Sequence, residues 1–264
     1  MAGIEDKAVY LSKMRKTFVD KAWFMKMTPD DVTAIVDFGC ADGSFMEYLR
    51  EDFPEYKYIG IENDGKFAQE SRLKGLDVHE SIEKLLESRS LEGETVLLVL
   101  NSVLHEVYSY SDPEKFWMSV GELAPKYIAV RDMHCTDYAT FGSAAKSELA
   151  GAFMTAGMQK QWRDFEAVWG KADDGHTATH LLLKYFYTEN WEREVREDYL
   201  PFTFKDLHKA LRKTGYDLKF QEFYGLPWLK AKWAKDLQLD RRAELRAFVE
   251  RVLTHMKLFL EIGR

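Results

Sequence analysis

Two carboxylates with a bend of small residues between them are the first sign of chemistry in this chain. Asp37 lies within the apolar run Ala34-Ile35-Val36-Asp37-Phe38, and Gly39-Cys40-Ala41-Asp42-Gly43 follows. Gly39 and Gly43, with the small Ala41 between them, allow a sharp turn and let the backbone come close to a ligand over a helix N-terminus. This is a nucleotide pocket in outline. Glu62 closes the next apolar run, 19 residues after Gly43. At that separation a carboxylate at the end of a second strand can accept hydrogen bonds from both hydroxyls of an adenosine ribose. A third group, His105 with Glu106, follows another apolar run, and a histidine held at hydrogen-bond distance can take a proton from an attacking nucleophile.

These residues need a scaffold of alternating strands and helices. Ala34 to Phe38 reads as a strand buried on both faces, and Phe45, Met46, Tyr48, Leu49 and Phe53 recur at helical spacing. Tyr56 to Ile61 is a second strand. A helix from Gly65 to Lys74 follows, with Phe67, Ala68 and Leu73 inward and Gly75 as its stop. Leu76 to Ser81 forms a brief third strand and its exit loop, and Ile82, Leu85 and Leu86 carry the next helix. Thr95 to Leu100 is continuous and apolar, so it belongs in the centre of the sheet. Asp112-Pro113 starts a helix as cap and first-turn proline, with Phe116, Trp117, Val120 and Leu123 buried. Tyr127 to Val130 is a fifth strand, with Arg131-Asp132-Met133-His134-Cys135 at its mouth. In open parallel sheets ligands sit outside the carboxyl ends of the strands.

On these motifs the sequence resembles the class I S-adenosylmethionine-dependent methyltransferases, most strongly from residue 34 to 107. Their first motif, an acidic strand end followed by glycine-x-glycine-x-glycine, stands here as Asp37-Phe38-Gly39-Cys40-Ala41-Asp42-Gly43, with alanine at the middle glycine. The resemblance implies a Rossmann-like α/β fold: a seven-stranded, mostly parallel sheet with an antiparallel terminal strand, helices on both faces, and a helical insertion. It implies S-adenosyl-L-methionine as cofactor, with Asp37 and the backbone of Gly39, Cys40, Ala41 and Gly43 at its methionine end and Glu62 on its ribose. Asn63 and Asp64 would lie near the adenine. Glu80, beside Ser81, matches the acidic residue that accepts from the adenine amino group, and a solvated loop glutamate is the plain alternative. Asn101 and Ser102 match the small polar residues that meet the cofactor after the fourth strand. A nicotinamide fingerprint fits less well, because it wants a third glycine three residues after the second and leaves Asp37 without a role.

His105 and Glu106 are the candidate catalytic residues. The other reading of His105 is a helix-start residue packed under its loop. Asn101-Ser102-Val103 is not the asparagine-proline-proline-aromatic motif of enzymes that methylate nucleic-acid amines. His134 and Cys135 with His105 and Glu106 lack a recognised metal-binding order. His176 and His180, four apart on a helix, lack a third ligand. No metal is expected.

The remaining chain divides into three parts. Residues 1–30 hold an amphipathic helix, with Tyr10, Met14, Phe18 and Ala22 four apart, Leu11 and Met25 beside them, and Lys13, Arg15, Lys16 and Lys21 on other faces. It reads either as a lid over the site or as packing on the sheet edge. The cofactor-binding half spans 31–135. Residues 136–202 form an aromatic, helical insertion (Phe153, Met154, Trp162, Phe165, Trp169, Tyr185, Phe186, Tyr187, Trp191) with a polar break from Gly170 to Gly175. That aromatic content can build a substrate pocket, a subdomain core or a homodimer contact. Residues 203–264 complete the sheet, with a helix from a capping-box-like Thr203 to Asp206 start, a strand from Tyr216 to Phe223 and a last strand from Thr254 to Leu260.

Composition narrows the functional classes. The chain has 264 residues and 46% hydrophobic content, enough for a full core. It has no run near the ~20 apolar residues that cross a bilayer, and its first residues lack the order of a signal peptide. Two cysteines, Cys40 and Cys135, suit reduced thiols and a cytoplasmic location. The net charge of -7 argues against general polyanion binding. Between Lys205 and Arg246, however, 11 Lys and Arg stand against 6 Asp and Glu, and Trp228 to Lys235 interleaves lysines with indoles. The reading is therefore a methyltransferase acting on a small molecule. An RNA methyltransferase using the basic 205–246 region and a non-catalytic S-adenosylmethionine-binding scaffold are the alternatives.

Overall fold

The computed structural model of the protein describes residues 15–135, 141–185 and 190–263. Seven strands form one sheet: β1 (Ala34–Phe38), β2 (Lys57–Ile61), β3 (Asp77–His79), β4 (Val96–Asn101), β5 (Tyr127–Met133), β6 (Tyr216–Tyr224) and β7 (His255–Ile262). Their order is β3-β2-β1-β4-β5-β7-β6. The pairs β1/β2, β1/β4, β2/β3 and β4/β5 are parallel, and the sheet as a whole has six parallel strands and one antiparallel terminal strand. The register sets Asp37 beside Gly60, Phe38 beside Ile61 and Asn101 beside Arg131, so the residues that leave these strands emerge at one end of the sheet.

Both faces of the central strands are apolar, as parallel strands under helices require. On one face Ile35, Leu97, Val99 and Ala129 pack with Phe45, Met46 and Leu49 of the helix Ser44–Asp52 and with Ala68 of the helix Gly65–Leu73. Val36, Leu98, Leu100, Ile128 and Val130 alternate with them and are fully buried. The helix Pro113–Leu123 has the expected Asp112 cap, which accepts from the amides of Glu114 and Lys115. Gly60 has no room for a side chain, since a Cβ there would lie 2.5 Å from the Cys40 sulfur and 2.8 Å from the Met46 methyl.

Several expectations need correction. Leu73 is 81% exposed, because it falls in the last helical turn before Lys74 and Gly75 reverse the chain. Leu86 is likewise exposed. The described part of the N-terminal segment is not a continuous helix but a single turn, Phe18–Lys21, followed by a 3-10 stretch, Ala22–Lys26. Tyr10, Leu11, Lys13 and Met14 lie outside the described residues. Phe18 is buried against Phe45 and Tyr48, with ring centroids 5.3 and 5.5 Å away. Lys21, placed by its spacing away from the apolar face, is 7% exposed.

The chain divides into two compact units. One contains the described residues of Lys7–Asp132, Phe204–Glu222 and Lys257–Arg264, and carries most of the sheet. The other is formed by Met133–Thr203 and Phe223–Met256, so the stretch 203–264 is shared between the two. In the second unit, Phe153, Trp162, Phe165, Trp191, Trp233 and Phe248 join one buried cluster. Its helices Gln159–Trp169 and Gly175–Lys184 are separated by the anticipated polar break, where Asp174 caps the second by accepting from the Thr177 amide at 2.7 Å. The described aromatic residues of the 136–202 region are thus largely consumed in a core of their own. Phe186 and Tyr187 lie outside the described residues.

Leu97 and Leu73 give a direct test of this packing. Leu97→Ala should cost about 2–5 kcal/mol in denaturant unfolding, through lost burial and a residual cavity. Leu73→Ala should change stability by less than about 0.5 kcal/mol.

Candidate functional site

The bend after β1 is built as its residue types require. Gly39, Ala41 and Gly43 all have positive φ (77°, 48° and 74°). Only Ala41 bears a side chain, and this conformation costs it roughly 1–2 kcal/mol. Its peptide is held on both sides: the Ala41 amide donates to Glu62 Oε2 at 2.9 Å, and Ser71 Oγ donates to the Ala41 carbonyl at 2.8 Å. The other Glu62 oxygen accepts from the Asp64 amide at 2.7 Å, and Asp64 caps the helix Gly65–Leu73. Asp42 accepts from the Ser44 hydroxyl at 2.6 Å and from Lys74 at 3.0 Å. Burial alone would raise the Asp42 pKa, but these partners outweigh it and hold the carboxyl below the usual range.

Asp37 and Glu62 thus come together at the tips of adjacent strands, both buried. Burial raises the Asp37 pKa. The Lys21 ammonium opposes the rise and the Glu62 carboxylate adds to it, leaving Asp37 at about 7. Glu62 is also raised by burial, against the pull of the Asp64 and Ala41 amides. Cys40 turns its side chain into the core, where burial first and the Asp37 and Glu62 charges next push the thiol pKa up. It can offer a ligand only its backbone. Asn63 and Glu80 are exposed at the exits of β2 and β3. The Ser81 hydroxyl caps the helix Ile82–Ser88, accepting from the Lys84 amide at 3.3 Å.

The tip of β4 adds a second cluster. Asn101 is 7% exposed: its Nδ2 donates to the Lys21 carbonyl at 3.4 Å, while its Oδ1 is buried with no hydrogen-bond partner. Ser102 has a positive φ of 56°, held by its amide on the Arg131 carbonyl at 2.7 Å and by Arg131 Nη1 on its Oγ at 2.7 Å. His105 lies in the helix Leu104–Tyr110, buried, with Nδ1 2.8 Å from Asp132 Oδ1. Asp132 is fully buried, and its Oδ2 accepts from the amides of Leu104 at 2.7 Å and His105 at 3.3 Å. Glu106 is half-buried on the same helix.

Sequence reasoning assigned no role to Lys21, Ser71, Arg131 or Asp132. It set Arg131 and Asp132 at the mouth of the fifth strand, on the ligand side, and Lys21 in the N-terminal amphipathic segment. Asp132 becomes relevant because β5 lies beside β4 with Arg131 opposite Asn101. Lys21 is brought in by the ion pairs of its neighbour Asp20 with Arg131 (2.8 Å) and Lys257 (2.8 Å). Its own burial, with Arg131 nearby, lowers its pKa to about 8 against the attraction of Asp37, Asp132 and Asp20.

Other motifs are absorbed by packing. His180 is buried, accepts from the Tyr199 amide at 3.2 Å, and is held neutral by burial and the Lys184 charge, its pKa pushed down to about 2. His176 is exposed. His134 stacks on Phe223 at 4.8 Å, and Cys135 Sγ lies 3.9 Å from the Gly175 carbonyl. In the helix Pro227–Asp236, Trp233 is buried and donates to the Leu182 carbonyl at 3.0 Å. Lys232 pairs with Asp236 at 2.5 Å, and Lys230 donates to the Glu250 carbonyl at 2.8 Å. This is a wet lysine face over an inward indole. Among the described residues no helix is long and apolar enough to cross a membrane.

No protein-family description matches the chain, and no curated protein matches it either. Solved structures do. The plantazolicin methyltransferase BamL, in complex with a triazolic desmethylPZN analog and SAH, aligns over 98% of this chain and 87% of its own, at 11% identity and TM-score 0.51. A SAM-dependent methyltransferase from Archaeoglobus fulgidus aligns over 97% of this chain and 100% of its own, at 13% identity and TM-score 0.50. The [4+2]-cyclase SpnF aligns over 94% and 82%, at 12% identity and TM-score 0.53. The chain has the Rossmann-like fold of the class I methyltransferases. SpnF's presence among these structures means that the fold alone does not fix the reaction.

The charge arrangement is open to test by carboxyl ¹³C NMR. Asp37 should titrate with a midpoint near 7. Glu62→Gln should lower that midpoint by removing a like charge, and Lys21→Met should raise it by removing the opposing one.

Proposed function

We propose that the protein is an S-adenosyl-L-methionine-dependent methyltransferase acting on a small molecule. The observation that carries this reading is the pairing of Asp37 and Glu62 across the bend Gly39–Gly43, with the unpartnered Asn101 Oδ1 on the neighbouring strand tip. The donor set fits the cofactor. The Glu62 oxygens accept from the Ala41 and Asp64 amides, and a carboxylate has about four lone-pair sites, which leaves acceptor capacity for a ribose hydroxyl. Asp37 and the backbone of Gly39, Cys40, Ala41 and Gly43 line the amino-acid end, with Asn101 and Ser102 beside them. Asn63 and Glu80 border the adenine, a role that Ser81 is less able to share. SAH in the BamL complex supports the cofactor, and the desmethylPZN analog there supports a small-molecule acceptor.

When bound, the cofactor supplies an electrophilic methyl group. His105 takes the proton that an O–H or N–H acceptor must lose. Asp132 accepts from Nδ1–H, which leaves the lone pair on Nε2, where the acceptor's proton ends, and the buried carboxylate stabilises the imidazolium that forms. Glu106, one residue on, borders the acceptor. No specific observation favours the RNA reading, because the lysines it needs are bonded within the protein. Two buried cysteines outside any disulfide, Cys40 and Cys135, support a reducing, cytoplasmic setting.

S-adenosylhomocysteine at about 100 times its dissociation constant should stabilise the protein by about 2.7 kcal/mol, read as a rise in Tm that NAD does not reproduce. Glu62→Ala should abolish that rise. Labelled cofactor should transfer its methyl group to a small molecule of a cell extract, and the absence of any product would favour the scaffold reading. His105→Asn should lower kcat by about 10²–10⁴-fold while leaving the thermal shift intact.

A further inference from the structure

Lys21 is a buried ammonium that the chain places among carboxylates without bonding it to any of them. It is 7% exposed and feels the charges of Asp37, Asp132, Asp20 and Arg131. Among the described residues, however, its side chain makes no hydrogen bond, while its amide donates to the Thr17 carbonyl and its carbonyl accepts from Asn101 Nδ2. Asp20, its neighbour in sequence, is already paired with Arg131 and Lys257. An ammonium on a largely buried side chain, with no acceptor supplied by the protein, is costly unless a ligand supplies one. Asn101 presents the complementary deficit, a buried Oδ1 with no donor, and the two residues are joined by the Nδ2 hydrogen bond. Asp37 adds a carboxylate on the same strand tips.

One unmet cation, one unmet acceptor and one carboxylate, side by side, describe the complement of a zwitterion. We infer that Lys21 binds the α-carboxylate of the cofactor's amino-acid tail, while Asp37 and Asn101 Oδ1 accept from its α-ammonium. This makes the segment Phe18–Lys26 part of the cofactor site, and makes the site selective for a zwitterionic tail over a cationic one. The inference rests on the methyltransferase reading above. It goes beyond it in assigning the tail's carboxylate to a residue that lies outside the strand-tip motifs.

Calorimetry on the full chain tests it with three ligands: S-adenosylhomocysteine, its decarboxylated analogue, and 5′-methylthioadenosine, which lacks both tail charges. The wild-type protein should bind S-adenosylhomocysteine at least tenfold more tightly than the decarboxylated analogue. Lys21→Met should weaken S-adenosylhomocysteine by tenfold or more and leave the other two within about twofold, which also shows that the variant is folded. Lys21→Arg should retain most of the discrimination. Equal or tighter binding of S-adenosylhomocysteine by the Lys21→Met protein would overturn the inference, since Lys21 would then only stand in the place of the ligand's ammonium. Should that variant not fold, a wild-type ratio near one between the first two ligands overturns it alone. Wild-type protein that binds none of the three overturns the methyltransferase reading together with this inference.

Discussion

The Glu62 carboxylate is the constraint on which the site depends. One oxygen holds the amide of Ala41 in the bend after β1, and the other holds the amide of Asp64 at the start of the helix after β2. Hydrogen bonds to an ionised acceptor are roughly twice as strong as neutral ones, enough to offset the roughly 1–2 kcal/mol of a non-glycine residue in the left-handed region. Ser71 completes the arrangement from below by fixing the Ala41 carbonyl. The bend is therefore set by protein groups before any ligand arrives, which reduces the ordering cost that binding must meet. The alanine that interrupts the glycine pattern is accommodated by neighbours, not by its own freedom.

Around this tie the chain gathers an unusual amount of buried charge. Asp37, Asp132, Lys21 and Arg131 are all nine-tenths buried or more, and half-buried Asp20 joins them. The burden is spread through specific bonds: Arg131 spans Asp20 and Ser102, Lys257 shares Asp20, and Asp132 takes two helix amides and an imidazole. What is left over, at Lys21 and at Asn101 Oδ1, lies where the strands end. Buried polar groups are nearly always satisfied inside a folded protein, so leftovers at such a place point to a ligand.

The helical unit solves a different problem. Its aromatic side chains form a continuous core, and a buried lysine sits within it. Lys184 is fully buried, donates to the carbonyls of Glu194 and Glu197, and lies 4.0 Å from the centre of the Tyr199 ring. Burial lowers its pKa to about 7, against the attraction of Glu197, Glu194 and Asp198. These bonds tie the segment after Trp191 to the helix Gly175–Lys184, so polar contacts as well as apolar area hold the unit.

The alternation of apolar runs, glycines and caps determined most of the sheet by itself. β1 falls where its residues predict, the other strands differ by a few residues at their ends, and Asp37, Gly39, Ala41, Gly43 and Glu62 converge as their spacing requires. Such features are legible because strand, bend and cap are local, each set by neighbours within a few residues. Only the tertiary structure decided the rest. Lys21 reads as a lysine off the apolar face of its segment until the Asp20 ion pairs draw it inward, and Asp132 reads as a strand-end residue until β4 and β5 align. The aromatic 136–202 region leaves pocket, core and contact equally open until its side chains are seen to bury one another. Each of these placements draws on partners far away in sequence, and burial and charge pairing across such separations leave no periodic trace in a single sequence.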